Sequence, residues 1–459
     1  METLIRQSFG WWQTVATPAA KVRRYIGHET VTVAVLSAAA YAAAMAREIV
    51  TAHQFGASRD LDTFIVAFTF PMLLVNLVGG AAESVLIPDY ISRLQTDRRR
   101  ADDAALSFSL VILIGTLALT ALLLLGGRSL ISLLAPGFAE SSIDRSTRMF
   151  AWLMPFVLLS GAASICRSLL NARRRYAVAA AAPALQPAVV ALTIVGLAAR
   201  IGVESLVVGT LLGSVVVVAI LLAKLRAEGF RFSWQGISLR MTEHSRAVRQ
   251  AALLVAGGLV YHANTVVVRI FASGLAEGTV AAMNYALYTC WTVVSIISFA
   301  VATVEFPRLS RLAAAEDYRA FGQAFREGLG KAILFVVPFS IALYVFSGPI
   351  VGLLFERGSF TPQAREVTAE SLAAFAVGLV PLSITWYAPR ALFALRMVKA
   401  ATVLTPVGLF INALLGYLLV GRLQHTGVAL AYSASVLYIA GLQVYLIRRR
   451  VRYELSAGA

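Results

Sequence analysis

The sequence predicts an all-α polytopic membrane protein, with about twelve transmembrane helices in two six-helix halves around a central cavity. Three observations carry that expectation. Hydrophobic residues make up 59% of the 459 and charged residues only 14%, with a mean hydropathy of +0.76, against roughly 45–50% apolar in a soluble domain. Apolar stretches of the ~20 residues needed to cross a bilayer recur from Thr30 to Ile447. Positive charge alternates between the loops that join them. So little polar surface excludes soluble enzymes, disulfide scaffolds and DNA-binding domains. The net charge of +16 therefore reads as loop charge rather than as a nucleic-acid patch.

In chain order, residues 1–28 lack the apolar core and small-residue cleavage site of a signal peptide, and are expected along the cytoplasmic face. The first half, 29–223, holds spans at 29–52, 61–90, 104–126, 149–170, 177–199 and 202–223, each set off by charged breaks. A basic cytoplasmic linker, 224–250, leads to the second half, 251–447. Its spans lie at 251–273, 279–304, 332–354, 367–388, 401–420 and 427–447, before a basic tail at 448–459. Cys166 and Cys290 fall inside apolar segments without metal-ligand spacing and read as packing residues.

Of the 40 Lys and Arg residues, 29 sort to loops on one side and 8 to the other, leaving Arg47, Arg167 and Arg269 within spans. Cytoplasmic loops hold the positive excess, so both termini are expected in the cytoplasm. The halves also read as a repeat. VLIPDYISRL (Val85 to Leu94) closes span 2 as VEFPRLSRL (Val304 to Leu312) closes span 8, and FGAS at Phe55 answers FASG at Phe271. Halves that both start inside run parallel, as in transporters whose repeats are related by an axis along the membrane normal, with the substrate site between them.

Candidate functional residues are the polar groups that a membrane interior disfavours. Arg47 sits beside Glu48 in span 1, with Asp62 nearby, and Arg269 occupies the related span 7. Arg47 can be either a structural ion pair or an anion ligand; Arg269, with no acid close in sequence, leans toward anion binding. A forked guanidinium suits a diphosphate because it binds oxyanions bidentately and stays charged. Glu83 and Glu305, related by the repeat, read as interfacial caps, as gating partners or as carriers of a coupling proton. Asn264 and Tyr288 add polar groups to spans 7 and 8. Pro71 is a candidate hinge, since proline removes a backbone hydrogen bond. No nucleotide loop, HExxH or GxSxG motif occurs, so the chain is expected to transport rather than to catalyse, without a cofactor; a coupling ion stays open.

The runs AREIVTAHQFGASRDLDTFIVAFTFPMLL and ESVLIPDYISRL, followed by NTVVVRIFASGLAEGTVAAMNYA, VATVEFPRLSRLA and LLFERGSFTPQA, resemble the MurJ/MviN family of lipid II flippases. That family sits within the multidrug, oligosaccharidyl-lipid and polysaccharide exporter superfamily. The resemblance implies a flippase in the bacterial cytoplasmic membrane. It would move a polyprenyl-diphosphate-linked saccharide from the cytoplasmic to the periplasmic leaflet by alternating access. It gives Arg47 the place of a cavity arginine, Asp62 that of a span 2 aspartate and Arg269 that of a span 7 arginine. Three further family arginines fall on Tyr41, Val75 and Tyr288, and the twelve expected spans are two fewer than such flippases usually have. Lipid II and a related envelope or exopolysaccharide unit are therefore both open as substrates. Membrane lipids and glycan-assembly enzymes are the expected partners, with no nucleic acid. The competing expectation is an exporter of soluble amphipathic compounds on the same architecture.

Overall fold

A computed structural model describes residues 28–232 and 262–457, and every regular element among them is a helix. The first half comprises α1 (His28–Phe55), α2 (Arg59–Leu94), α3 (Arg98–Leu125), the short α4 (Gly127–Leu134), α5 (Glu140–Ala172), α6 (Tyr176–Ile201) and α7 (Glu204–Ala227). The second begins with α8 at 262–273 and continues through α9 (Thr279–Ala314), α10 (Tyr318–Val345), the short α11 (Ser347–Phe355), α12 (Pro362–Val377), α13 (Leu379–Ala394) and α14 (Val398–Ala457). Most of the expected N-terminal segment, the linker from 233 and the start of span 7 lie outside the described residues.

Among the described residues, nine helices are long and apolar enough to cross a membrane, or ten when α12 and α13, bent by 52°, count as one span. The chain is thus a multi-pass membrane protein. The difference from twelve has two sources. The expected spans at 401–420 and 427–447 lie in the single 60-residue α14, interrupted only where Gln424 takes φ 46°. Helix α8 is described from residue 262 alone.

The break between α12 and α13 has a local cause. Pro381 has no N–H, and its ring displaces the carbonyl four residues earlier. Nearby carbonyls that the bend would leave bare find side-chain donors instead: Ser340 Oγ donates to Ala376 O at 2.7 Å and Ser433 Oγ to Ala374 O at 3.1 Å. Within a bilayer such donors replace the water that would solvate the backbone elsewhere.

The halves share a succession of elements. A 36-residue helix (α2, α9) leads to a 28-residue helix (α3, α10) whose start is capped by an aspartate, and then to a short helix of 8 or 9 residues. Asp97 accepts from Arg99 N at 2.8 Å and Asp317 from Ala320 N at 2.9 Å, satisfying amide donors that a helix start leaves unpaired.

Packing sets where the site can lie. In the first half α2 packs on α5, α1 on α6, and α7 on both α5 and α6; in the second, α9 packs on α10, α12 and α13, and α14 on α12 and α13. The halves meet where α9 touches α1 and α2 and where α11 touches α1. At the end of the molecule near Phe55 and Tyr285 one buried apolar cluster runs through both halves. At the other end, which carries Arg93, Arg173 and Arg311 and is called the basic end below, each half has its own separate cluster. Outward-facing side chains such as Leu125 (88% exposed), Leu192 and Tyr417 (both 73%) face what must be lipid, because water would not tolerate so continuous an apolar surface.

Candidate substrate cavity

A cavity of about 1040 Å³ occupies the space between the diverging cores. It runs from Thr51 and Leu61, near the joined end, to Ile91, Asn171 and Tyr176 at the basic end. Helices α1, α2, α5, α6 and α7 supply most of the wall, while the second half contributes Arg269, Asn284, Tyr288 and Trp291. Most of the share of α2 is a stripe that includes 61, 65, 68, 72, 76, 79, 83 and 87, the three- and four-residue spacing of one helix face.

Five of the expected residues line this wall: Arg47, Glu48, Glu83, Arg269 and Tyr288. Arg47 pairs with Glu48 through Nη2 and Oε1, and its guanidinium lies 5.6 Å from the centre of the Tyr288 ring. Both readings of Arg47 thus have a structural counterpart, an ion pair and a place in the cavity. Arg269 reaches from α8 to α2, where Nη1 donates to Thr69 Oγ1 at 2.6 Å. Thr69 in turn donates to Ile65 O at 2.9 Å, which fixes the hydroxyl as an acceptor for the arginine. Among the described residues no carboxylate lies within ion-pair distance of Arg269. An arginine held by a neutral hydroxyl keeps donors for an anion.

Four expected residues lie elsewhere. Asp62 is 1% exposed and accepts from Gly278 N and Ala281 N, both at 2.8 Å. It therefore caps α9, whose own N-cap residue, Gly278, has no side chain to do so. Asn264 is turned toward α14, where Asn412 Nδ2 and Ser435 Oγ donate to its Oδ1 at 3.1 and 2.8 Å. Glu305 is buried between α9 and α10, 2.6 Å from Lys331 Nζ and 3.7 Å from Arg308. Pro71 is buried inside α2, beside the lining residue Met72.

Sequence reasoning passed over Arg167, Asn76 and Gln186, which also line the wall. Arg167 Nη2 is 3.2 Å from Glu83 Oε1, and its Nε is buried without a hydrogen-bond partner. The signal was present, since Arg167 is one of three arginines inside spans; it lacked only a counterpart in the repeat.

The joined end is closed by backbone approach. Tyr285 Oη donates to Gly56 O at 3.1 Å and Ser359 N donates to His53 O at 2.9 Å. Gly56 (φ +61°) and Gly278 (φ +81°) each sit so close to the facing chain that a Cβ would lie 2.3 Å from Ser359 O and 2.1 Å from Ala57 O respectively. Only glycine fits such contacts and such dihedrals.

At the basic end a buried polar knot holds the exit of α7. Asp102 Oδ1 accepts from Tyr90 Oη and from Arg173 Nη2, both at 2.6 Å, and its Oδ2 accepts from Arg231 N at 3.1 Å. Arg173 also donates to Glu228 O at 2.9 Å. The half-buried Glu228 carboxylate, hydrogen-bonded by Lys224 and Arg175, is held below the usual carboxylate range. Among the described residues no group of three or more His, Cys, Asp or Glu is placed to hold a metal ion.

A family model described as "Lipid II flippase MurJ" matches residues 51–459. The chain is 26% identical to a probable lipid II flippase MurJ of Rhizobium tropici over 420 residues, covering 88% of this chain and 78% of that protein. It is 24% identical to the lipid II flippase MurJ of Burkholderia cenocepacia over 424 residues, covering 90% and 82%. A solved structure of lipid II flippase MurJ in an inward closed conformation superposes with a TM-score of 0.79 at 20% identity, over 91% of this chain and 87% of that one. An inward-facing multidrug resistance MATE transporter superposes with a TM-score of 0.70 at 13% identity, over 93% and 100%.

Proposed function

This chain belongs to the MurJ family of lipid II flippases, and from that premise we propose that its cavity loads a polyprenyl-diphosphate-linked saccharide at the basic end and releases it at the other. The substrate is lipid II or a closely related envelope unit. By the loop-charge rule the basic end faces the cytoplasm. On this reading the protein sits in a bacterial cytoplasmic membrane with both termini inside.

The observation that carries the reading is the pair Arg47 and Arg269 in one cavity wall, one held by an acid and a ring, the other by a hydroxyl alone. A diphosphate entering from the basic end meets Arg269 without displacing a carboxylate. It then competes with Glu48 for Arg47, and two charges on the ligand outweigh one. Bidentate arginine contacts of this kind supply about 1.5–3 kcal/mol each, enough to hold a headgroup that carries its own charge into a low-dielectric wall. A saccharide finds Asn76, Gln186 and Asn284 farther along the wall.

Alternating access follows from the two ends. With Asp62 capping α9 and the glycine contacts made, the far end is shut and the substrate can only enter from the cytoplasm. Rocking 29–223 against 251–447 breaks those contacts and brings the separate basic-end cores together. Pro71, within α2 between the closed end and the cavity midpoint, is where that helix can bend. Membrane potential or an ion gradient supplies the drive, and Glu83 and Glu305 are two carboxylates toward the end that must close.

The test is headgroup translocation in proteoliposomes with a defined polyprenyl-diphosphate saccharide. Arg269→Ala and Arg47→Ala, shown to be folded by thermal unfolding, should each slow it at least tenfold, about 1.4 kcal/mol. Folded variants that flip at the parent rate would overturn the proposal. The competing reading, export of soluble amphipathic cations, finds support in the MATE superposition alone, and an arginine with no ion-paired acid disfavours cations.

A further inference from the structure

The cavity has a second cationic position, Arg167, nearer the basic end than Arg47 and Arg269. Arg269 is anchored on Thr69 of α2 and Arg167 on Glu83 of the same helix. Fourteen residues at about 1.5 Å each separate these anchors by about 21 Å, and fourteen residues are close to four full turns, so both face the same side. Between them α2 presents Met72, Asn76 and Gly79 to the cavity, and none of these carries charge. The positive groups are therefore clustered at two depths, not spread along the wall.

Arg167 is also incompletely satisfied. Its Nη2 meets Glu83 Oε1 at 3.2 Å and lies 3.5 Å from Ser164 Oγ, while its Nε is buried with no partner. A buried donor left unpaired costs about 1–3 kcal/mol, so the guanidinium gains by turning toward an anion that gives its donors acceptors. Glu83, 45% exposed in its side chain, stands as a removable placeholder rather than as a locked partner.

We propose that Arg167 is a specificity residue that binds a carboxylate on the saccharide headgroup, about 20 Å along the cavity from the diphosphate, after displacing Glu83. This rests on the flippase reading above. It narrows the substrate class to headgroups bearing an acidic group remote from the diphosphate, whether on an acidic sugar or on a peptide attached to the sugar. A neutral oligosaccharide would leave Arg167 facing Glu83 alone.

Three probes separate the possibilities in proteoliposomes of the full-length protein. They are a polyprenyl diphosphate carrying a neutral disaccharide, one with a uronic acid in the disaccharide, and one with a short peptide ending in a free carboxylate. Arg167→Gln should slow an acidic probe about tenfold more than the neutral one, the scale of one charge-assisted hydrogen bond. Preferential loss with the uronic acid probe or with the peptide probe supports the proposal and identifies the source of the carboxylate. Glu83→Gln, which removes the competing acid and leaves Arg167 in place, should shift preference the other way, toward the acidic probes. Equal effects on all three probes, for either variant, would overturn it. Arg269→Ala in the same assay reads the diphosphate contact separately: if it slows none of the probes the flippase reading fails, whatever Arg167 does.

Discussion

Replacing Asp62 by asparagine should unlatch the closed end without disturbing the cavity. Among the described residues Asp62 is the side chain that caps α9, through two hydrogen bonds of 2.8 Å to Gly278 N and Ala281 N, and it reaches them from the other half of the molecule. Asparagine keeps one acceptor oxygen and turns an NH₂ toward the second amide, so one charge-assisted bond is lost and a donor faces a donor. At about 1.5–3 kcal/mol for such a bond, the ratio of closed to open molecules falls roughly ten- to a hundredfold. The favourable placement of a carboxylate at a helix N-terminus is lost as well, worth about 0.3–1 kcal/mol. Spin labels at Gln54 and Ala276, both exposed and on opposite sides of the closure, would report the change by double electron–electron resonance. The native cysteines, Cys166 and Cys290, are buried and shielded from the label. The parent should give a single short distance and Asp62→Asn a second, longer population. A parent-like distribution would refute the idea that Asp62 holds the end shut.

Gly56→Ala should act in the same direction and more strongly, because its Cβ would lie 2.3 Å from Ser359 O and its φ is +61°; the same label pair reads it. Arg47→Lys keeps the charge but loses the planar fork, so headgroup translocation should fall by about tenfold, less than for Arg47→Ala. Asp102→Ala leaves Arg173 charged in a site where its side chain is 6% exposed. The expected cost is about 3–5 kcal/mol, seen as a lower unfolding temperature in detergent with little change in substrate preference at the cavity.

Much of the fold is legible in the sequence because the bilayer simplifies the problem. Length, apolarity and loop charge are enough to place helices when every backbone donor must be satisfied within its own segment. The same criteria are blind to breaks. The 52° bend that Pro381 sets at Gly378, with Ser340 and Ser433 satisfying nearby carbonyls, and the positive φ of Gln424 leave mean hydropathy unchanged. For the cavity, an arginine in an apolar run is a strong signal, and Arg47 and Arg269 both line the wall. Direction is the part that sequence hides. Asp62 and Asn264 follow or precede those arginines on the same or the next helix, yet one turns to the start of α9 and the other to α14. Arg167 lines the wall without a repeat partner, so symmetry, which drew attention to Glu83 and Glu305, drew it away from Arg167. Those two glutamates also differ in the structure: Glu83 faces the cavity while Glu305 is buried against Lys331.

Native mass spectrometry of the protein extracted from its own membrane, beside the Arg47→Ala, Arg269→Ala double variant, tests most directly whether the cavity holds a carrier lipid by its diphosphate. A flippase of this kind should carry a polyprenyl-diphosphate saccharide of defined mass, and the double variant should lose it. Retention of that lipid at equal occupancy by the double variant, or a soluble amphipathic cation in its place, would contradict the assignment.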